Sequence, residues 1–194
     1  DALKLSRGMT YKSAAAGLDC GGGKTVIMEV DGIDRTLAFK TLGRHIEHLQ
    51  GRRYTGRDLG VSTEDIDLMR TETRWVADET PAGVGDLSEA TAFGVYQGIK
   101  ACLAEAYGND SMKDRHISVQ GVGEVGYWVV KYAAENGAKV AISDIHPKAI
   151  EKTAKAFPVT VVKPEEIYGV NVDVFSPCAI GGIICCETIP KLRC

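Results

Sequence analysis

The second half of the sequence alternates short β-branched runs with longer segments of helical periodicity, and this alternation restricts the possible folds severely. Strands are predicted at residues 116–120, 139–143, 159–162 and 172–175, and helices at residues 124–135 and 147–157. Strands joined through helices pair in parallel, because each helix carries the chain back to the starting edge of the sheet. We therefore expect an α/β protein in which residues 87–194 form a Rossmann-type, doubly wound parallel sheet.

A glycine motif lies between the first of these strands and the helix that follows it. The motif reads Gly121-Val122-Gly123-Glu124-Val125-Gly126. In this setting the first glycine allows a tight turn, the second lets a pyrophosphate approach the backbone, and the third lets the helix pack on the strand. The helix that opens at Glu124 and Val125 also supplies partial positive charge. The motif therefore predicts a dinucleotide-binding site.

Asp144 ends the second of these strands, 23 residues beyond Gly121. A carboxylate at this place accepts hydrogen bonds from the adenosine ribose hydroxyls. It would also repel the 2′-phosphate of NADP. The sequence therefore favours NAD as the cofactor.

The first half contains a different glycine run, Gly21-Gly22-Gly23, followed by Lys24. Three successive glycines are costly in conformational entropy unless a turn or a close approach requires them. We expect a small ligand to approach this backbone, with Lys24 meeting a carboxylate or acting as a base. A plain glycine loop with a solvated lysine is the alternative. The β-branched run at residues 25–27 predicts a buried strand.

Lys12 lies on the apolar stripe of a helix predicted over residues 1–17. The stripe consists of Leu5, Met9, Lys12 and Ala16 at helical spacing. A lysine on such a face either extends its amine outward to water or meets an anionic ligand. The side chain of Lys12 is therefore a candidate for substrate binding.

The remaining elements of the first half divide the chain into two domains. We predict a helix over residues 37–49 ending at Gly51, a short strand at residues 53–55, and a capping box formed by Ser62 and Asp65. The segment 78–86, which contains Pro81, predicts a boundary or hinge. A long helix follows from Ser88 to Gly108. The predicted domains are residues 1–86, which bind substrate, and residues 87–194, which bind the cofactor, with a cleft between them.

Composition excludes several other classes of protein. The net charge of −3 offers no basic stripe for nucleic acid. The six cysteines show no CxxC pair, so neither a zinc site nor a disulfide framework is favoured and free thiols are expected. His45 and His48 are read as part of a solvated helix face, and no metal is expected. The sequence shows neither a membrane-length apolar run nor a leader, so we expect a cytoplasmic protein without a membrane partner.

Several motifs together resemble the glutamate/leucine/phenylalanine/valine dehydrogenase family, and in particular its leucine and phenylalanine members. The motifs follow one another along nearly the whole chain. They are Leu5-Ser6-Arg7-Gly8-Met9-Thr10-Tyr11-Lys12, Gly21-Gly22-Gly23-Lys24, Asp58-Leu59-Gly60, Gly94-Val95-Tyr96, Gly121–Gly126, and Phe175-Ser176-Pro177-Cys178-Ala179-Ile180-Gly181-Gly182.

The resemblance implies an NAD-dependent oxidative deamination of an L-amino acid to the 2-oxo acid and ammonium. Lys12 would bind the substrate carboxylate, Lys24 would be the base that activates water, and Asp58 would handle protons at the amino group. Burial and the neighbouring charge of Lys12 both favour the neutral amine that a base requires. The other contacts implied for substrate are Gly22, Gly23 and Gly56, and those for the cofactor are Thr91, Cys178 and Ala179.

Gly56 is the one indication of the preferred side chain. By resemblance, leucine-type members carry alanine here and phenylalanine-type members glycine, so we expect an apolar substrate, aliphatic or aromatic, and not glutamate.

The family usually has Asn-Asp where this chain has Cys185-Cys186. Family members also begin with further strands, extend past the last residue here and form homo-oligomers. A non-catalytic, truncated NAD-binding module is therefore the alternative function.

Overall fold

The computed structural model describes residues 1–28, 30–77, 79–80 and 83–194. The chain divides into two compact units, Asp1–Gly85 and Asp86–Cys194, which we call the N-terminal and C-terminal units. Pro81, part of the predicted hinge, lies outside the described residues.

The N-terminal unit is built on three helices: α1 (Ala2–Ala15), α2 (Arg35–His48) and α3 (Thr63–Arg70). Helices α2 and α3 pack on each other around a small core of Phe39, Ile46, Ile66, Met69 and Val76. Gly43 allows the close approach, since a Cβ there would lie 2.9 Å from the carbonyl oxygen of Met69. The predicted capping box at Ser62 and Asp65 is confirmed at the start of α3.

The strand predicted at residues 25–27 is wrong. Val26 and Ile27 are exposed, and this segment joins no ladder of strands. A strand needs partners for its backbone groups. Within the described part of the N-terminal unit, the strand pairing consists of a single parallel bridge between Thr55 and Val76. The strand predicted at residues 53–55 is therefore reduced to this bridge.

The buried face of α1 also differs from the prediction. Leu5 and Lys12 are exposed, and the less exposed side of the helix carries Ala2, Ser6, Met9 and Ser13. The glycine loop packs against this part of the helix, where Gly22 donates its N–H to Thr10 Oγ1 at 3.0 Å. The side of α1 that is covered therefore follows from its contact with the glycine loop and not from the apolar stripe.

The C-terminal unit is an α/β unit with a parallel sheet, as predicted. Its elements are α4 (Leu87–Tyr107), β1 (His116–Gln120), α5 (Glu124–Glu135), β2 (Lys139–Ser143), α6 (Pro147–Ala156), β3 (Val159–Val161) and β4 (Val174–Pro177), with 3₁₀ turns at Ile167–Gly169 and Ile189–Lys191. The predicted elements are recovered within two residues, with β4 starting two residues later than expected.

The strand order β3-β2-β1-β4 determines where a site can form. From β1 the chain moves outward to β2 and β3, then returns to the opposite side of β1 with β4. Gln120 at the end of β1 is in register with Ser143 of β2 and Pro177 of β4. The segments that leave these three strands therefore meet at one edge of the sheet, and ligands of open α/β sheets bind at such a reversal of strand order.

The sheet is held by one apolar core. The inward residues Ile117, Val119 and Ile142 are fully buried, and helices α4 and α5 pack on them. Gly108 ends α4 in the left-handed conformation, with φ of 73°, which glycine adopts without steric cost.

Candidate active site

Lys24 and Asp58 come together in the N-terminal unit although 34 residues separate them. The amine of Lys24 donates to Oδ2 of Asp58 in a close ion pair. The Lys24 side chain is 24% exposed and that of Asp58 is 48% exposed. Both groups therefore lie at the protein surface, paired, and open to a small ligand.

The surroundings of Lys24 lower the pKa of its ammonium group. Burial is the main cause, followed by the positive charges of Lys12 and Arg53. The carboxylate of Asp58 acts in the opposite direction, because an opposite charge favours the ammonium form. Lys24 therefore reaches its neutral form at lower pH than an ordinary lysine, which suits a general base.

Lys12 is exposed on α1, which is compatible with both of its alternatives. Its charge nevertheless acts on Lys24. Two cationic side chains from α1 and the glycine loop thus face the same region, which favours an anionic ligand.

Two glycines of the run that precedes Lys24 lie close to other parts of the protein, and at Gly22 the neighbour is backbone. A Cβ on Gly22 would lie 2.0 Å from the backbone nitrogen of Thr10, and a Cβ on Gly23 would lie 2.4 Å from Nη1 of Arg53. The close approach that we expected from a ligand is thus supplied at Gly22 by the backbone of α1, whereas the Arg53 guanidinium group beside Gly23 is the end of a side chain that can move aside. Gly56 is half-buried two residues before Asp58.

Sequence reasoning missed the arginines around this site. Arg53 contributes to the lowered pKa of Lys24. Arg57, beside Asp58, forms an ion pair with Glu79 at 2.9 Å. Neither contact has a sequence signal, because the partners are far apart and follow no helical or strand spacing.

The glycines of the second motif take the places that the sequence predicted for them. Gly121 has a φ of +89°, and a Cβ there would lie 2.8 Å from the nitrogen of Ala179 and the carbonyl carbon of Cys178. A Cβ on Gly126 would lie 1.9 Å from the carbonyl oxygen of Gly121. Gly123, by contrast, faces open space. The outer glycines are therefore needed for the turn and its packing, whereas Gly123 leaves its backbone accessible.

The N-terminus of α5 is suited to an anion. Gly123 precedes Glu124 without a side-chain cap, so the first amides of the helix are not covered by a side chain at that position. The side chain of Glu124 instead accepts a hydrogen bond from Ser88 Oγ at 3.1 Å. The open backbone at Gly123, the left-handed turn at Gly121 and this helix terminus together fit a dinucleotide pyrophosphate.

The Asp144 carboxylate accepts two backbone hydrogen bonds that the sequence did not predict. Its Oδ2 accepts the N–H of Val122 at 2.7 Å, and its Oδ1 accepts the N–H of His146 at 2.8 Å. Each oxygen keeps a further acceptor position, because an ionised carboxylate has about four. The carboxylate therefore fixes the glycine loop and can still receive ribose hydroxyls.

Two other residues predicted to contact the cofactor, Thr91 and Cys178, form hydrogen bonds to backbone carbonyl groups. Thr91 Oγ1 donates to the carbonyl oxygen of Leu87 at 2.7 Å within α4. Cys178 extends the β1–β4 ladder by donating its N–H to Gln120 at 2.7 Å. Burial raises the pKa of the Cys178 thiol, so this cysteine is poorly suited to act as a thiolate.

The described residues include no group of three or more His, Cys, Asp or Glu side chains placed to hold a metal ion. Nor do they include a helix with the length and apolar character needed to cross a bilayer. The six cysteines are free.

Comparison with known proteins identifies the family. Residues 1–82 match the Glu/Leu/Phe/Val dehydrogenase dimerisation domain, and residues 83–153 match the Glutamate/Leucine/Phenylalanine/Valine dehydrogenase domain. Leucine dehydrogenase of Thermoactinomyces intermedius is 46% identical over 197 residues, and phenylalanine dehydrogenase of Caldalkalibacillus thermarum is 43% identical over 201 residues. Both alignments cover 100% of this chain and 54% of the relative. The chain thus spans about half the length of the curated relatives it matches.

Solved structures agree with these matches. L-tryptophan dehydrogenase from Nostoc punctiforme superposes with a TM-score of 0.77 at 36% identity, over 100% of this chain and 55% of that one. Glutamate dehydrogenase from Thermus thermophilus superposes with a TM-score of 0.73 at 21% identity, over 97% of this chain and 52% of the other, which supports the fold alone. The chain belongs to the glutamate/leucine/phenylalanine/valine dehydrogenase family, a family of oxidoreductases that act on amino acids.

Proposed function

We propose that the protein catalyses the NAD-dependent oxidative deamination of an apolar L-amino acid. The observation that carries this proposal is the pairing of Lys24 with Asp58, next to the charge of Lys12. A base with a lowered pKa, a carboxylate within its reach and a second cation are the groups that such a reaction needs from the protein.

Each of the three side chains has a distinct role in the proposal. Lys12 binds the substrate α-carboxylate through its positive charge. Asp58 accepts a proton from the substrate ammonium group, because a neutral amine is required before the Cα–H bond can break as hydride. Lys24, as the neutral amine, removes a proton from the water that attacks the resulting iminium carbon, and the carbinolamine then collapses to 2-oxo acid and ammonium.

The cofactor is proposed to bind at the edge of the parallel sheet in the C-terminal unit. When bound there, NAD supplies the acceptor for the hydride that leaves the amino acid. The backbone at Gly123 and the start of α5 would hold its pyrophosphate, and Asp144 would hold its adenosine ribose. Gly121 and Gly126 shape that loop, while Thr91, Val125, Cys178 and Ala179 complete the predicted contacts.

The substrate is proposed to carry an aliphatic or aromatic side chain. The aligned relatives are named for leucine and phenylalanine, which supports this range. Gly56 lies two residues before Asp58 and adds no methyl group to the space beside it. One methyl group changes discrimination by only about 1–3 kcal/mol, so the two side-chain classes would overlap.

The assembly and location of the protein belong to the same proposal. The match to a dimerisation domain supports a homo-oligomer. A cytoplasmic enzyme remains our prediction from the sequence.

The test is the formation of NADH, followed by its absorbance, at alkaline pH. Protein expressed from the open reading frame that contains this sequence is supplied with NAD and a panel of L-amino acids. We expect turnover with leucine, valine or phenylalanine to exceed that with glutamate. NADH binding without turnover of any amino acid would instead support the non-catalytic module.

A further inference from the structure

We propose that the Arg57–Glu79 ion pair is a positioning device that holds Asp58 against Lys24. The inference rests on the proposed function, since it assigns Asp58 to the reaction. Neither Arg57 nor Glu79 is assigned a contact with substrate or cofactor. They act through the backbone that Arg57 shares with Asp58.

The ion pair is well made and mostly buried. Nη2 of Arg57 lies 2.9 Å from Oε2 of Glu79, and Nε lies 3.0 Å from the same oxygen and 3.3 Å from Oε1. The side chains are only 15% and 16% exposed. Planar, multiply bonded guanidinium–carboxylate pairs fix direction as well as distance. Arg57 therefore has a defined orientation.

The segment that follows Arg57 needs such an anchor. Asp58, Leu59 and Gly60 are all exposed, so packing does not hold them in place. The Asp58 carboxylate accepts the N–H of Leu59 at 2.7 Å, which is a local contact within the same exposed loop. The N–H of Val61 also donates to the carbonyl oxygen of Asp58 at 3.0 Å, again within the loop. On the near side, the backbone of Thr55 donates to Trp75 at 3.1 Å and accepts from Ala77 at 2.7 Å. The direction of the Asp58 side chain therefore depends on how the residues on either side are held.

A second anchor lies on the far side of this loop. Nη2 of Arg35 donates to the carbonyl oxygen of Gly60 at 2.6 Å. The same guanidinium is held by the buried carboxylate of Asp65, at 2.8 and 2.7 Å. Arg35 lowers the pKa of the Asp65 carboxyl, which keeps that carboxylate ionised. The loop is thus held at Gly60 through Arg35, at Thr55 through backbone hydrogen bonds, and at Arg57 through Glu79.

The two anchors differ in what their loss would do. Arg35 also joins α2 to the start of α3, so its removal would disturb the core of the N-terminal unit. The Arg57–Glu79 pair joins the loop to the segment that leads toward the boundary between the units. Its removal would leave the helices and the backbone hydrogen bonds of Thr55 in place, but would allow Arg57 and Asp58 to reorient. Turnover should then fall while substrate affinity, which we assign to Lys12, changes little.

The test separates positioning from simple stability. Removing one partner of a buried pair leaves an uncompensated charge, whereas replacing both with apolar side chains is often neutral for stability. We therefore compare Arg57→Met with the double variant Arg57→Met/Glu79→Leu. We expect the single variant to lose both Tm and kcat. The double variant should regain part of the lost Tm but keep a kcat at least tenfold below wild type, with KM for the amino acid and Kd for NADH within twofold.

A second readout does not depend on activity. Acetylation of Lys24 by acetic anhydride is quantified by mass spectrometry. Its rate depends on how far Asp58 shields the amine from the reagent and keeps it protonated. We expect the rate at Lys24 to rise several-fold in the double variant. Lys100, which pairs with Asp110 at 2.8 Å, is the internal control and should keep its rate.

The control variant is Arg115→Met, which breaks the comparably buried Arg115–Asp173 pair of the C-terminal unit. It should lower Tm without changing the labelling of Lys24. Recovery of both kcat and Lys24 labelling to wild-type values in the double variant would overturn the inference. A wild-type protein without dehydrogenase activity would refute the proposed function, and the labelling rates would still decide the positioning role.

Discussion

Two alanine substitutions in one glycine motif should have separate effects, one on stability and the other on cofactor binding. In Gly126→Ala the new Cβ would lie 1.9 Å from the carbonyl oxygen of Gly121 and 2.8 Å from its carbonyl carbon. Ordinary contact is about 1.5 Å longer than the first of these distances, and both atoms belong to backbone that cannot rotate away. Overpacking typically costs about 1–3 kcal/mol, and this backbone clash should reach about 3 kcal/mol. The corresponding loss in Tm is about 10 °C.

Gly123→Ala places its methyl group in open space at a φ of −67°, which L-residues adopt. Its effect on the free energy of unfolding should lie between zero and a gain of about 1 kcal/mol, because alanine restricts the unfolded chain. The methyl group would, however, keep a pyrophosphate away from the amides of the loop. We expect the Kd for NADH to rise about 10- to 100-fold, which corresponds to about 1.4–2.7 kcal/mol.

The assay combines thermal unfolding with titration of NADH fluorescence. Gly169→Ala is the matched control, since a Cβ there also meets open space and the residue lies outside the motif. It should change neither Tm by more than a few degrees nor the Kd. An unchanged Kd in Gly123→Ala, or an unchanged Tm in Gly126→Ala, would refute the division of roles among these glycines.

Three further predictions concern charge and substrate. Arg53→Met removes a charge that lowers the pKa of Lys24, so that pKa should rise. The part of the pH profile in which kcat/KM increases should therefore move to higher pH, and a move to lower pH would contradict this prediction. Asp144→Ser should reduce the preference for NAD over NADP in kcat/KM and, because Val122 loses its acceptor, lower Tm; equal use of both cofactors by wild type would disprove the assignment. Gly56→Ala should lower kcat/KM for phenylalanine more than for leucine, and the reverse order in steady-state assays would rule out the pocket argument.

The parallel sheet was predictable because its signals are local. Each strand of the C-terminal unit is a short β-branched run bounded by turn residues, and each crossover helix carries its own periodicity. The glycine motif added the turn between β1 and α5. Even the left-handed Gly108 that ends α4 follows from a local preference.

The errors lie where distant contacts decide the outcome. Val26 and Ile27 have strand propensity, but a strand also needs a partner, which their own sequence does not specify. The covered face of α1 depends on Gly22 approaching Thr10, and the spacing of Leu5 and Lys12 does not encode that contact.

The site was predictable in its members but less so in its arrangement. Lys24 and Asp58 were identified through family motifs, and the structure pairs them. The Arg57–Glu79 pair connects residues 22 apart in two loops, where no periodicity applies. The hydrogen bond from the Val122 N–H to the Asp144 carboxylate likewise depends on the conformation of the glycine loop.

The turnover of Lys24→Ala tests the central claim most directly. Losing a positioned proton-transfer group typically lowers kcat by about two to four orders of magnitude. We predict a loss of that size for NADH formation from the preferred amino acid at alkaline pH. NADH binding should stay at its wild-type Kd, since Lys24 is not among the predicted cofactor contacts. A variant that turns over as fast as wild type would contradict the assignment of Lys24 as the base.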